Sequence, residues 1–199
     1  MRRVDGQPAL ARRAEIVRVA AQFFDQEGYH RASMGRLATE LGMAKATVYH
    51  YFGSKEEILY EIHQEFILIL IEAQRARLGK GMPPSQQLLE CMSDIMGLME
   101  SHRGHVRVFF EHHRELEGER KGAIRAQRRQ YQSMVKDILS EGSNQGEFHV
   151  DDVRLTALAV FGMCNWAYQW FQVEGPMTTQ EAATYLWETL MQGLAPRPC

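Results

Sequence analysis

The stretch SMGRLATELGMAKATVYHYFGSK, residues 33–55, decides the fold. Met34, Leu37, Ala38 and Leu41 fall at i, i+3, i+4 and i+7, which is one face of a helix. Ser33 stands where an N-cap side chain accepts a backbone amide. Gly42 is placed to stop that helix. A second short helix is expected from about Ala44 to Tyr51, and Gly53 breaks it. Two short helices around a tight glycine turn, leaning on a longer first helix, make a helix-turn-helix. The second of the pair is sized to enter a major groove.

Working outward, the pattern stays helical. Ile16, Ala20, Phe23 and Phe24 share one face of a preceding helix, and Gly28 is placed to end it. On the other side, Ser54-Lys55-Glu56-Glu57 reads as a capping box. It opens a long helix to about Leu78, with Ile58, Leu59, Ile62, Phe66, Ile69 and Leu70 as its apolar stripe. Gly79-Lys80-Gly81-Met82-Pro83-Pro84 is the clearest break in the chain. Helical patterns follow near 85–101, 103–115, 119–142, 151–173 and 178–193, and Pro196 and Pro198 read as a short tail. No strand or repeat emerges. The expectation is an all-α protein, with a three-helix helix-turn-helix domain over 1–54 and a larger helical domain over 55–199.

Charge divides along the same line. The 199 residues carry a net charge of −2. Residues 1–55 hold nine Lys and Arg against five Asp and Glu, and the rest hold 14 against 20. A basic head on an acidic body implies that only the head meets a polyanion. Cys91, Cys164 and Cys199 are far apart and form no CxxC, which disfavours a disulfide framework or zinc finger and fits a reducing cytosol. The polar, Arg-rich first fifteen residues do not read as a signal peptide. Leu155 to Phe171 is free of charge but carries Thr156, Asn165 and Gln169, so a helix buried on several sides is expected there, not a membrane span. No Walker loop, GxSxG, HExxH or paired CxxC is present, so no enzyme and no cofactor is expected.

Within the second short helix, Val48 should face the core. Lys45, Thr47, Tyr49, His50 and Tyr51 supply donors and rings, while Ala44 and Ala46 keep the helix slim near bases. Lys45 can reach guanine acceptors, and Thr47 can meet a phosphate or a thymine methyl. Ser33, with the helix start it caps, and Lys55 are placed for phosphates.

Residues 12–58 resemble the TetR family of bacterial repressors. The matching parts are IVRVAAQFF (16–24), Gly28-Tyr29, SMGRLATELG (33–42), ATVYHYF (46–52) and Lys55-Glu56-Glu57. The resemblance implies phosphate contacts from Ser33, Tyr49, His50 and Lys55, with Lys45, Ala46 and Thr47 nearest the bases. Met34 and Gly35 depart from the usual pattern; Met34 is kept among the DNA-contacting residues at that helix end. The resemblance also implies a body that holds a ligand pocket and pairs as a homodimer through its last two long helices, on a double-stranded operator, in the cytoplasm and away from membrane. Independently, the apolar residues of Leu155–Phe171 go round the helix, so one face can line a core and another a partner. Leu186, Trp187, Leu190 and Leu194 add a second stripe.

Phe109, Phe110, His113, Tyr131, Met134, Met163, Asn165, Trp166 and Trp170 are the candidate pocket residues, aromatic or soft with a few polar tips. Any one of them could equally be ordinary core. An amide at Asn165, if buried, needs partners. Lys121, Arg125, Arg128 and Arg129 fall on one helix face, either a solvated face or a phosphate clamp. VRVFFEHHREL (106–116), GSNQGEF (142–148) and GMCNWAYQWF (162–171) look like a subgroup that controls fatty-acid, aromatic-acid or sterol degradation. That likeness implies an acyl-CoA thioester as effector. A hydrophobic-drug sensor controlling efflux is the alternative. A metal-responsive regulator is disfavoured, because His102 and His105 flank Gly104 and the adjacent His112 and His113 point about 100° apart on a helix.

Overall fold

The computed structural model describes residues 7–194 and contains no strand among them. Pro196, Pro198, Cys199 and the side chain of Leu194 lie outside what is described. The described chain falls into two compact units, residues 7–66 with 103–124, and residues 67–102 with 125–194. These units cut the chain elsewhere than the boundary expected at residue 54, because a later segment returns to the head.

In the first unit, α1 (Gln7–Glu27) buries Ile16, Val17, Ala20, Ala21, Phe23 and Phe24. It ends at Gly28, whose φ of 79° is a left-handed conformation that glycine takes without strain. α2 (Met34–Glu40) starts at Ser33, whose Oγ accepts from Arg36 N at 3.2 Å. α3 (Lys45–Tyr51) packs beside it. α4 (Lys55–Arg77) opens on the expected box. Ser54 Oγ accepts from Glu57 N at 3.1 Å, and the Glu57 carboxylate reaches past Ser54 to Gly53 N at 2.8 Å. α6 (Arg103–Glu111) crosses α1. Their backbones come so close at Gly104 that an added Cβ would stand 2.9 Å from Ala21 C and Gln22 N. A short 3-10 turn, His113–Glu115, follows.

The second unit is formed by the end of α4, α5 (Pro84–Ser101), most of α7 (Gly118–Asn144), α8 (Val153–Asn165), α9 (Ala167–Trp170) and α10 (Thr179–Leu194). α5 packs against α8 and α10 and supplies Leu88, Cys91, Met92, Ile95 and Met96 to the core. Asp152 caps α8 by accepting from Leu155 N at 2.9 Å. Thr178 and Glu181 cap α10 reciprocally, at 3.1 and 2.8 Å.

Two expected helices are divided. The pattern at 103–115 stops at Glu111, where the His113 ring takes the Phe110 carbonyl at 2.9 Å and the chain tightens into the 3-10 turn. The pattern at 151–173 breaks at Trp166, and Phe171 turns extended, with φ −71° and ψ 132°. No glycine or proline marks Trp166, so periodicity alone runs through the break.

Candidate nucleic-acid interface and effector body

α3 turns a single residue fully inward, Val48. Lys45, Ala46, Thr47, Tyr49 and His50 are all exposed. A helix held by one anchor keeps the rest of its surface for something else. Lys45 Nζ lies 5.7 Å from the centre of the Tyr49 ring, on the outer side of the helix. Tyr51 is half-buried with its ring edge-on to His50 at 5.3 Å. The end of α3 is fixed from α1. Arg13 donates to Tyr51 O at 2.6 Å and to Glu61 at 2.5 Å, and stacks 4.1 Å over the Phe52 ring.

Two of the expected DNA contacts are placed differently. Met34 is buried, because it shares the inward face of α2 with Leu37 and Ala38. Its side chain holds the helix-turn-helix together and is not offered outward. Lys55 points back into its own unit. Its ammonium donates to Tyr29 O at 2.7 Å and Ala32 O at 3.0 Å, and sits 4.2 Å over the Tyr29 ring. Partial burial pulls that ammonium below its usual range, and Glu115 opposes the shift. In this structure Lys55 ties down the turn that leads to Ser33. Ser33 itself is exposed at the start of α2.

The candidate pocket residues are divided between the units. Phe109 is buried in the first, 4.2 Å from Phe66 and 5.2 Å from His63, with Phe110 edge-on to it at 5.3 Å and His113 on the Phe110 carbonyl. Tyr131 is buried in the second, 5.8 Å from Phe161. Met134, Met163 and Asn165 are half-buried. Trp166 and Trp170, expected inside, are on the surface, at 62% and 44% exposure. They fall on the outward side of α8 and α9, where Leu155, Leu158, Ala159 and Gly162 are also exposed, while Ala157, Val160, Phe161 and Cys164 take the core. On α7, Arg125 and Arg129 are exposed, and Lys121 and Arg128 half-buried. Burial lowers the pKa of the Arg128 guanidinium, helped by Arg125.

The interior of the second unit is polar where a plain core would be apolar. Gln74 and Arg77, on the last turns of α4, meet Cys91 and Asp94 of α5. Arg77 forms an ion pair with Asp94 and donates to Gln74 Oε1 at 3.3 Å. The Cys91 thiol donates to the same oxygen at 3.1 Å. Burial raises the Asp94 carboxyl to about 6 despite Arg77, and raises the Cys91 thiol to about 12. Among the described residues, no group of three or more His, Cys, Asp or Glu side chains is disposed to hold a metal ion. No described helix is long and apolar enough to cross a membrane.

Two family models cover most of the chain. Residues 16–62 match "Bacterial regulatory proteins, tetR family", and residues 81–194 match "Tetracyclin repressor-like, C-terminal domain". The chain belongs to the TetR family. It is 26% identical to the HTH-type transcriptional repressor KstR2 of Mycobacterium tuberculosis, over 98% of each chain. Among solved structures it resembles the TetR family regulator PfmR of Thermus thermophilus, with a TM-score of 0.84 and 33% identity over 91% of this chain and 99% of that one. It also resembles AibR in complex with isovaleryl coenzyme A and operator DNA, with a TM-score of 0.81 and 27% identity over 90% and 98%.

As a TetR-family member the protein is a helix-turn-helix transcriptional regulator and not an enzyme. Two features of its sites went unread in the sequence. Arg13 acts on a segment 38 residues away, and nothing local signals it. The polar cluster did leave a trace. Gln74 and Arg77 continue the register of Leu70 and Ile71, and Cys91 and Asp94 sit beside Leu88 and Ile95. Polar residues at core register in two helices are the sign of an interior polar site.

Proposed function

We propose that this TetR-family regulator represses transcription by binding a near-palindromic operator as a homodimer, and that an acyl-CoA thioester in its body releases it. The likeness to AibR, over nine-tenths of this chain, is the observation that carries the effector. The exposed face of α3 supports groove reading by Lys45, Thr47, Tyr49 and His50, with Ser33 at a phosphate. The stripe of Leu155, Leu158, Trp166 and Trp170, with Tyr185 of α10 at 64% exposure, supports pairing with a second copy. Large apolar faces of this kind on a single chain mark interaction surfaces. Arg125 and Arg128 are suited to the CoA phosphates, since guanidinium groups bind phosphate bidentately.

A labelled duplex carrying the operator, titrated with protein at fixed salt and then with isovaleryl-, decanoyl- and palmitoyl-CoA, tests this reading. At least one ester should weaken operator binding, while free CoA should not. If every ester binds nowhere and leaves the operator affinity unchanged, the effector assignment is wrong, and sensing of a hydrophobic drug takes its place.

A further inference from the structure

Tyr131 of α7 is 2% exposed, and its hydroxyl has no well-formed hydrogen bond, only the Cys91 sulfur beside it. It lies among Cys91, Asp94 and Arg77. None of them gives it a well-formed hydrogen bond. The Cys91 proton is given to Gln74, leaving only a sulfur lone pair, a weak acceptor. One oxygen of Asp94 is engaged by Arg77, whose own groups are all donors. Burial holds the phenol well above its usual range, so it stays a donor. One turn earlier on the same helix, Gln127 also keeps a buried Oε1 without a partner. An orphaned buried donor is costly, and phenylalanine would fill the same space without that cost. A hydroxyl kept here, with only a weak sulfur acceptor beside it, is arranged as a receptor for a better acceptor.

We infer that Tyr131 donates its hydrogen bond to the carbonyl oxygen of the effector's thioester, with Gln74, Arg77, Cys91 and Asp94 as the frame that fixes it; this rests on the acyl-CoA reading above. The frame joins α5 to the last turns of α4. The first turn of α4 holds Lys55 and belongs to the DNA-binding unit. A group that takes the Tyr131 proton therefore acts on the residues that anchor the end of α4.

Paired probes isolate the carbonyl. Isovaleryl-, decanoyl- and palmitoyl-CoA are each compared with the S-alkyl-CoA thioether of equal chain length, in which a methylene replaces the carbonyl. The full-length protein should bind the best thioester roughly tenfold tighter than its thioether, the scale of one buried hydrogen bond. In Tyr131→Phe the two should bind alike, near the wild-type thioether affinity. Equal binding of ester and ether by the wild-type protein would overturn the receptor while leaving acyl-CoA as effector, and it decides the matter even if the variant does not fold. A full ester preference retained in Tyr131→Phe would overturn it as well. Binding of neither series would remove the acyl-CoA reading and the receptor together.

Discussion

The two units differ most in what they expose. The first buries Ile16, Phe24, Val48 and Phe52, together with His63 and His105, and exposes the polar Lys45, Thr47 and His50 of α3. Two of its half-buried cations reach its own backbone, Lys55 the Tyr29 and Ala32 carbonyls and Arg13 that of Tyr51, with Glu61 also held by Arg13. The second unit buries Gln74 and the Tyr131 hydroxyl, half-buries the Arg77–Asp94 pair, and exposes Leu155, Leu158, Trp166, Trp170 and Tyr185. The first is finished in the sense that its exposed α3 face is polar and needs only a polyanion to read. The second is unfinished on both sides, with an apolar exterior that water serves poorly and an orphaned donor in its interior. A regulator needs that division, because a reader must be rigid and a sensor must gain something from each occupant.

The largest effect should come from the unfinished exterior. Leu158→Glu combined with Trp166→Glu puts two charges on the exposed stripe of α8. The protein should become monomeric by sedimentation. Operator affinity should fall by roughly a hundredfold or more, since the second half-site contact is no longer tethered to the first. A double variant that stays dimeric would mean that these residues face something other than a second copy.

A smaller effect separates two kinds of residue in the finished unit. Thr47→Ala should relax base preference at one position by roughly 1–3 kcal/mol and leave the melting temperature alone. Lys55→Met should do the reverse. It removes two charge-assisted hydrogen bonds to carbonyls and should cost about 1–2 kcal/mol of stability. It should leave the salt dependence of operator binding unchanged. Selection from random duplexes, thermal melts and a salt series read all three. A salt slope flattened by about one unit per protomer in Lys55→Met would show that the ammonium reaches phosphate after all.

The sequence was most legible where local chemistry acts alone. Ser33, Gly42 and the Ser54–Glu57 box act within a few residues, so the helix-turn-helix and the start of α4 could be read from spacing. The two faces of α8 also followed from apolar residues running all round it. What failed was direction. The spacing already set Met34 on the inward face beside Leu37, yet its position in the family pattern drew it toward DNA. Lys55 reads as a phosphate contact from its place at a helix start and from the family resemblance, yet its long stem carries the ammonium back to the Tyr29 and Ala32 carbonyls. Trp166 and Trp170 suit a pocket lining as aromatic residues with polar tips, and composition does not say which of them falls on the face of 155–171 left for a partner. The polar interior comes from three helices distant in sequence, so its parts appear as isolated exceptions to a stripe.

The central claim is that occupancy of the unfinished unit is coupled to the grip of the finished one. Moving a 1:99 mixture of states to 99:1 takes about 5.5 kcal/mol of differential affinity. An acyl chain can supply that at about 0.8 kcal/mol per buried CH₂, if it fits only the released state. The coupling must then act equally in both directions. The most direct test is calorimetry of the best-binding acyl-CoA with the free protein and with the protein saturated by its operator, set beside the operator affinity with and without that ester. Operator should weaken ester binding by the same factor that the ester weakens operator binding. Ester affinity that is identical with and without operator would contradict the coupling.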